Sequence, residues 1–161
     1  MTELADTAVV RQFMEAFGQE VRTALLSEPS PELRLLRGRI VMEEALELLD
    51  ALGLKISLSE DEEPQRVDPK QARITVDEDS DVDIVETADA LADLVVVTKG
   101  SALAFGIPVD AILLDEVGPS NMSKLGADGK PILREDGKIL KADTWQPPNI
   151  KRVLRKVGYE D

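Results

Sequence analysis

Apolar positions recur every four residues near the start of the chain. Val9, Phe13, Phe17, Val21 and Leu25 share one helical stripe, which predicts an amphipathic helix over residues 5–26. Two prolines and two serines within residues 27–31 then break the pattern, placing Ser30 as an N-cap and Pro31 as the first residue of the next helix. That second helix is expected over 31–53, with apolar faces from Leu33, Leu36, Ile40, Leu46 and Leu49 and a stop at Gly53. Residues 57–81 lose the periodicity and turn acidic, so they read as a loop carrying a short strand signal from Arg73 to Val76. A third helix spans 82–106, strongly apolar from Leu91 to Val97, and Ala88, Ala90, Ala92, Ala102 and Ala104 allow neighbours to approach closely. Pro108 opens a fourth helix to about Val117, where Gly118 and Pro119 interrupt it before a further turn through Leu125.

The last stretch differs in kind. Pro131 to Leu140 reads as strand, Asp136–Gly137 turn and strand, a small hairpin. Pro147 and Pro148 form a stiff joint, and 149–157 read as a short basic helix. The expected fold class is therefore all-α: a four-helix core with a small irregular or hairpin-bearing C-terminal tail. One domain is expected over 1–161, with an acidic loop at 57–81 and a basic tail at 126–161.

Composition sharpens this picture. Aromatic residues are 3% of the chain against 43% hydrophobic overall, so the core is aliphatic, which favours packed helices. By their spacing Phe13 and Phe17 are assigned to that core, while Trp145 beside the two prolines is assigned to packing or an interface; base stacking is the rival role for all three. The net charge of −13 repels nucleic acid. It is unevenly spread: residues 119–161 hold nine basic and six acidic side chains, the rest ten basic and 26 acidic. No apolar run approaches the roughly 20 residues that span a bilayer, and the start is polar, so a cytoplasmic location is expected.

Histidine and cysteine are absent. Thiol nucleophiles, zinc fingers and Ser–His–Asp triads are excluded, and any metal must be held by oxygen. Carboxylates supply it. Glu43, Glu44 and Glu47 share a face of the second helix, and Glu86, Asp89 and Asp93 share a face of the third. Two helices bearing such faces can surround one or two Mg²⁺ or Mn²⁺ ions, which clamp a polyphosphate and activate water, with Glu43 left free as general base. Each acidic face taken alone is usually a solvated helix surface.

The surroundings of these acids carry a resemblance. Glu86-Thr-Ala-Asp-Ala-Leu-Ala-Asp-Leu94, with Gly100-Ser-Ala-Leu-Ala-Phe-Gly-Ile-Pro108, resembles the MazG-like branch of the all-α nucleoside triphosphate pyrophosphatases and extends to phosphoribosyl-ATP pyrophosphohydrolase-like proteins. Val10-Arg-Gln-Phe-Met-Glu-Ala-Phe-Gly18, Ser120-Asn-Met-Ser-Lys-Leu-Gly126, Asp128-Gly-Lys-Pro-Ile132 and Arg134-Glu-Asp-Gly-Lys138 are similar to the same group. The resemblance implies that Glu44, Glu47, Glu86 and Asp89 bind Mg²⁺ or Mn²⁺, more than one ion per site, with Glu43 as the base. It implies that Asn121 and Lys124 contact substrate phosphates, and Lys138 and Lys141 are further candidates for that task. Asp93 stands as a metal ligand, as an acceptor behind the ligands, or as a structural aspartate. The loop at 57–81 is longer and more acidic than in compact relatives.

The function implied is metal-dependent hydrolysis of a nucleoside triphosphate, often a deoxynucleotide, to the monophosphate and pyrophosphate, by a homodimer or homotetramer. Two rivals stand beside it: a pyrophosphohydrolase of another nucleotide such as a phosphoribosyl nucleotide, and a non-catalytic acidic module that binds metal or a partner.

Overall fold

The computed structural model describes residues 4–56, 74–135 and 137–160. The all-α expectation holds: six helices, α1 Ala5–Ala16, α2 Pro31–Ala51, α3 Ile84–Phe105, α4 Val109–Ile112, α5 Gly118–Met122 and α6 Ile150–Leu154, outweigh two three-residue strands, β1 Leu54–Ile56 and β2 Ile74–Val76. The chain divides into two compact units, one formed by residues 1–29 and 99–161, the other by residues 30–98.

In the first unit α1 is shorter than its stripe predicts. It stops at Ala16 because Gly18 takes a left-handed conformation, φ +69°, which costs a residue without a side chain nothing. Gln19 N–H bonds Met14 O and Gly18 N–H bonds Glu15 O, the paired closure of a Schellman cap. Val21 and Leu25 continue the apolar spacing, but their segment runs beside the end of α3 instead. Arg22 N–H donates to Leu103 O at 3.0 Å and Leu26 N–H to Phe105 O at 2.8 Å, which satisfies carbonyls left over at that helix end. The assignment of Phe13 and Phe17 to the core is also corrected. They are 45% and 72% exposed and pack on each other, ring centroids 4.8 Å apart, while Val10 and Met14 on the adjoining stripe are buried.

Gly118 and Pro119 do not interrupt the helix after Pro108. Residues Leu113–Val117 form a π-helical turn between α4 and α5, closed by Gly118 N–H on Leu113 O. A proline inside an α-helix clashes with the carbonyl four residues back; the wider turn removes that clash and absorbs the missing N–H. Beyond α5 the tail is tied down. Ser120 Oγ donates to Gln146 O at 2.7 Å, and Gln146 N–H donates to Ser123 Oγ at 3.0 Å. Glu116, 8% exposed, accepts Asn149 N–H at 2.7 Å and Arg152 Nε–H at 2.6 Å. Val153 of α6 is fully buried. The hairpin reduces to single bridges at Leu133–Ile139 and Leu125–Pro131; Asp136 of its expected turn lies outside the described residues.

The second unit is α2, the N-terminal part of α3 and the β1–β2 ribbon. Ser30 Oγ caps α2 by accepting Leu33 N–H at 3.2 Å, with Pro31 at the first position as the sequence predicts. β1 pairs antiparallel with β2, Leu54 opposite Val76 and Ile56 opposite Ile74. β1 was not foreseen, and residues 57–73, most of the expected acidic loop and Arg73 of its strand, lie outside the described residues. Leu35, Leu36 and Met42 on α2, and Ile84, Val85, Leu91 and Val95 on α3, stay exposed.

Candidate functional site

The acids of α2 and α3 are positioned by hydrogen bonds where the two helices meet. Ala51 O, at the end of α2, accepts Asp83 N–H at 2.9 Å and Thr87 Oγ–H at 3.3 Å. Asp77 N–H closes onto Gly53 O at 2.7 Å. Asp83 Oδ1 then accepts Val85 N–H at 2.9 Å and Glu86 N–H at 3.1 Å, capping α3 at its first turn. Asp83-Ile-Val-Glu86 has capping-box spacing, but Ala51 O already takes the Asp83 N–H, so that donor needs no partner from Glu86.

Glu47, Glu86, Asp89 and Asp93 line one cleft of about 390 Å³, together with Asp50, Ser80, Asp81 and Asp83. Every charged group in the lining is a carboxylate. Sequence reasoning missed Asp50 and Asp83 as lining residues; the capping-box spacing was the available signal for Asp83. Glu44 is half-buried on α2, and its Oε2 is buried with no hydrogen-bond partner among the described residues. Burial raises its carboxyl pKa above the ordinary 4.5, and the charges of Glu47, Asp93, Glu43 and Asp89 push it the same way. Glu44 of α2 therefore shares its field with Asp89 and Asp93 of α3. Glu43 is exposed on α2 beside it.

No three carboxylates among the described residues converge into a set that would hold a metal ion. The donor chemistry still fits a hard divalent cation: oxygen ligands only, crowded like charge, and one buried carboxylate oxygen without a donor.

The basic candidates belong to the other unit. Lys124 Nζ donates to Asn121 Oδ1 at 2.8 Å, so these two form a pair. Lys141 Nζ sits 3.4 Å from the centre of the half-buried Trp145 ring, and Lys138 is exposed next to the Leu133–Ile139 bridge. That unit also holds an ion cluster the sequence did not reveal. Lys99 pairs with Asp110 and, at 3.3 Å, with Asp6. Burial opposes the Asp110 charge, but hydrogen bonds from Lys99, from Leu4 N–H and from Thr7 Oγ–H outweigh it and hold its carboxyl below the usual range.

Among the described residues, no single helix is long and apolar enough to cross a membrane. The sequence profile described as phosphoribosyl-ATP pyrophosphohydrolase matches residues 10–121. No curated protein matches the chain.

Proposed function

The chain belongs to the phosphoribosyl-ATP pyrophosphohydrolase family, and on that footing we propose that it cleaves the α–β phosphoanhydride of a nucleoside triphosphate moiety, phosphoribosyl-ATP first among candidates. The observation that carries this reading is the cleft lined by Glu47, Glu86, Asp89 and Asp93 from two helices. A wholly acidic cleft repels a polyphosphate unless divalent cations mediate between them.

Glu44, Glu47, Glu86 and Asp89 would hold Mg²⁺ or Mn²⁺, more than one ion, with Asp93 a further ligand or an acceptor behind them. Such ions supply positive charge against the phosphate oxygens and make water more acidic. Glu43, exposed next to Glu44, takes the proton as water adds to the α-phosphorus. The α–β bond breaks, and pyrophosphate leaves from the monophosphate product. Asn121 and Lys124 bind phosphate oxygens, with Lys138 and Lys141 as further candidates. The exposed apolar residues of α2 and α3 support a homodimer or homotetramer.

A deoxynucleoside triphosphate is the second reading. The family match ends at 121, and the tail elements that resemble the MazG-like branch, including Lys124, lie beyond it. One experiment separates the readings: pyrophosphate release from phosphoribosyl-ATP and from a panel of ribo- and deoxynucleoside triphosphates, with Mg²⁺ or Mn²⁺. Turnover confined to one class decides between them. Glu47→Ala and Asp89→Ala should each lower turnover at least ~100-fold with helicity unchanged. Full turnover in both variants refutes the metal assignment, and no hydrolysis across the panel refutes the catalytic reading.

A further inference from the structure

Ser120 and Ser123 carry no chemistry in the reaction proposed above, yet both hydroxyls are committed to one backbone residue further along the chain. Ser120, 7% exposed, donates its Oγ–H to Gln146 O at 2.7 Å. Ser123 Oγ accepts Gln146 N–H at 3.0 Å and donates to Ser120 O at 2.8 Å. Beyond Gln146, Asn149 N–H donates to Glu116 Oε2 at 2.7 Å, and Arg152 Nε–H donates to Glu116 Oε1 at 2.6 Å. The strap 146–149 is thus tied at both ends to one helical run, at Glu116 and at the two serines. Pro147 and Pro148 lie between the ties. Each proline ring fixes a backbone torsion, so the strap has little freedom to slacken.

Asn121 and Lys124 each follow one of these serines by a single position. Asn121 is exposed and Lys124 half-buried, and Lys124 Nζ donates to Asn121 Oδ1 at 2.8 Å. An ammonium has three donors, so that contact leaves donors for an anion. Backbone bonds from Ser123 N–H to Pro119 O at 3.0 Å and from Lys124 N–H to Asn121 O at 3.2 Å carry the turn through the pair. α5 itself is only five residues long. So short a helix does not hold its own shape in water. The serine bonds to the strap supply the order that its length cannot.

We infer that Ser120 and Ser123 are positioning residues: they fix α5 on the strap and so hold Asn121 and Lys124 ready for substrate phosphates. The inference rests on the reading that this pair binds phosphate. A lysine and a helical turn already ordered in the free protein lose less entropy on binding, and the difference appears as affinity. Neither serine touches substrate; each acts through the pair beside it.

The test is steady-state kinetics of the full chain with Mg²⁺, on whichever triphosphate the parent hydrolyses fastest, with circular dichroism reporting that each variant folds. Ser123→Ala should raise KM about fivefold and leave kcat within about twofold, because a phosphate grip made in ground and transition states alike is uniform binding. Ser123→Thr keeps the hydroxyl and should return KM to within about twofold of the parent. Asn121→Ala combined with Lys124→Gln should raise KM about tenfold or more. Adding Ser123→Ala to that pair should raise it no further, since the serine acts through the pair. Arg152→Gln, at the other tie and 54% exposed, slackens the same strap and should raise KM about threefold. Unchanged KM in a folded Ser123→Ala, or losses that multiply when it joins the pair variant, would overturn the positioning role and leave the phosphate reading standing. Where Ser123→Ala does not fold, unchanged KM in Arg152→Gln overturns it instead. A pair variant with the parent's KM, or a parent without turnover, overturns the phosphate reading and this inference with it.

Discussion

Replacing Glu44 by Gln should make the protein more stable and less active at once. Glu44 keeps its shape as Gln but loses a charge that burial and four neighbouring carboxylates oppose. Two of those neighbours, Glu43 and Glu47, share α2, and two, Asp89 and Asp93, are on α3. Of these only Glu47 stands at the i,i+3 spacing for which a like-charge pair costs about 0.2–0.5 kcal/mol, and relief of burial acts in the same direction. In urea denaturation followed by circular dichroism, at pH 7–8 and without divalent cations, the midpoint should rise by about 0.1–0.3 M. The sign follows from the raised carboxyl: its charge disfavours the fold above its folded pKa, and that penalty fades as pH falls through that value toward 4.5. The advantage of Glu44→Gln should therefore shrink in acid. Mg²⁺ at ten times its dissociation constant should stabilise the parent by about 1.4 kcal/mol and the variant by much less. A variant less stable than its parent without metal would refute the account of Glu44 as a strained ligand, as would equal stabilisation of both by Mg²⁺.

Gly106 takes φ +67°, and a Cβ there would lie 1.9 Å from Ala24 O. Gly106→Ala should therefore cost about 3 kcal/mol or more, from left-handed strain plus loss of the Arg22–Leu103 and Leu26–Phe105 backbone bonds; a change below ~1 kcal/mol in urea unfolding contradicts that contact. Asp110 has a lowered carboxyl pKa, so its contribution is present above its ordinary 3.8 and is lost as pH falls through the lower folded value. Lys99 has a raised pKa, because its bonds to Asp110 and Asp6 outweigh its burial, so its contribution is lost as pH rises above 10.5. Asp110→Asn should cost about 2–3 kcal/mol at pH 7 and flatten the acid limb of the stability profile; an unchanged acid limb excludes Asp110 as its source.

Helix existence and both faces of carboxylates were legible in the sequence, because they depend on spacing within one segment. Ser30 and Pro31 marked the start of α2, Gly106 marked the end of α3, and spacing placed Glu44 and Glu47 on one helix and Glu86 and Asp89 on the other. Phe17 and the end of α1 were not legible: a four-residue repeat continues through Val21 and Leu25, and only the pairing of that segment with Leu103 and Phe105 shows why Gly18 ends the helix. Gly118–Pro119 looked like a break because local preference forbids proline in an α-helix, yet a π-helical turn accommodates it. The joining of Glu47, Asp50, Asp83, Glu86, Asp89 and Asp93 into one cleft was decided by tertiary structure, through Ala51 O and Gly53 O bonding the chain that leads into α3. Spacing places side chains on a face; contacts between residues distant in sequence decide what that face meets.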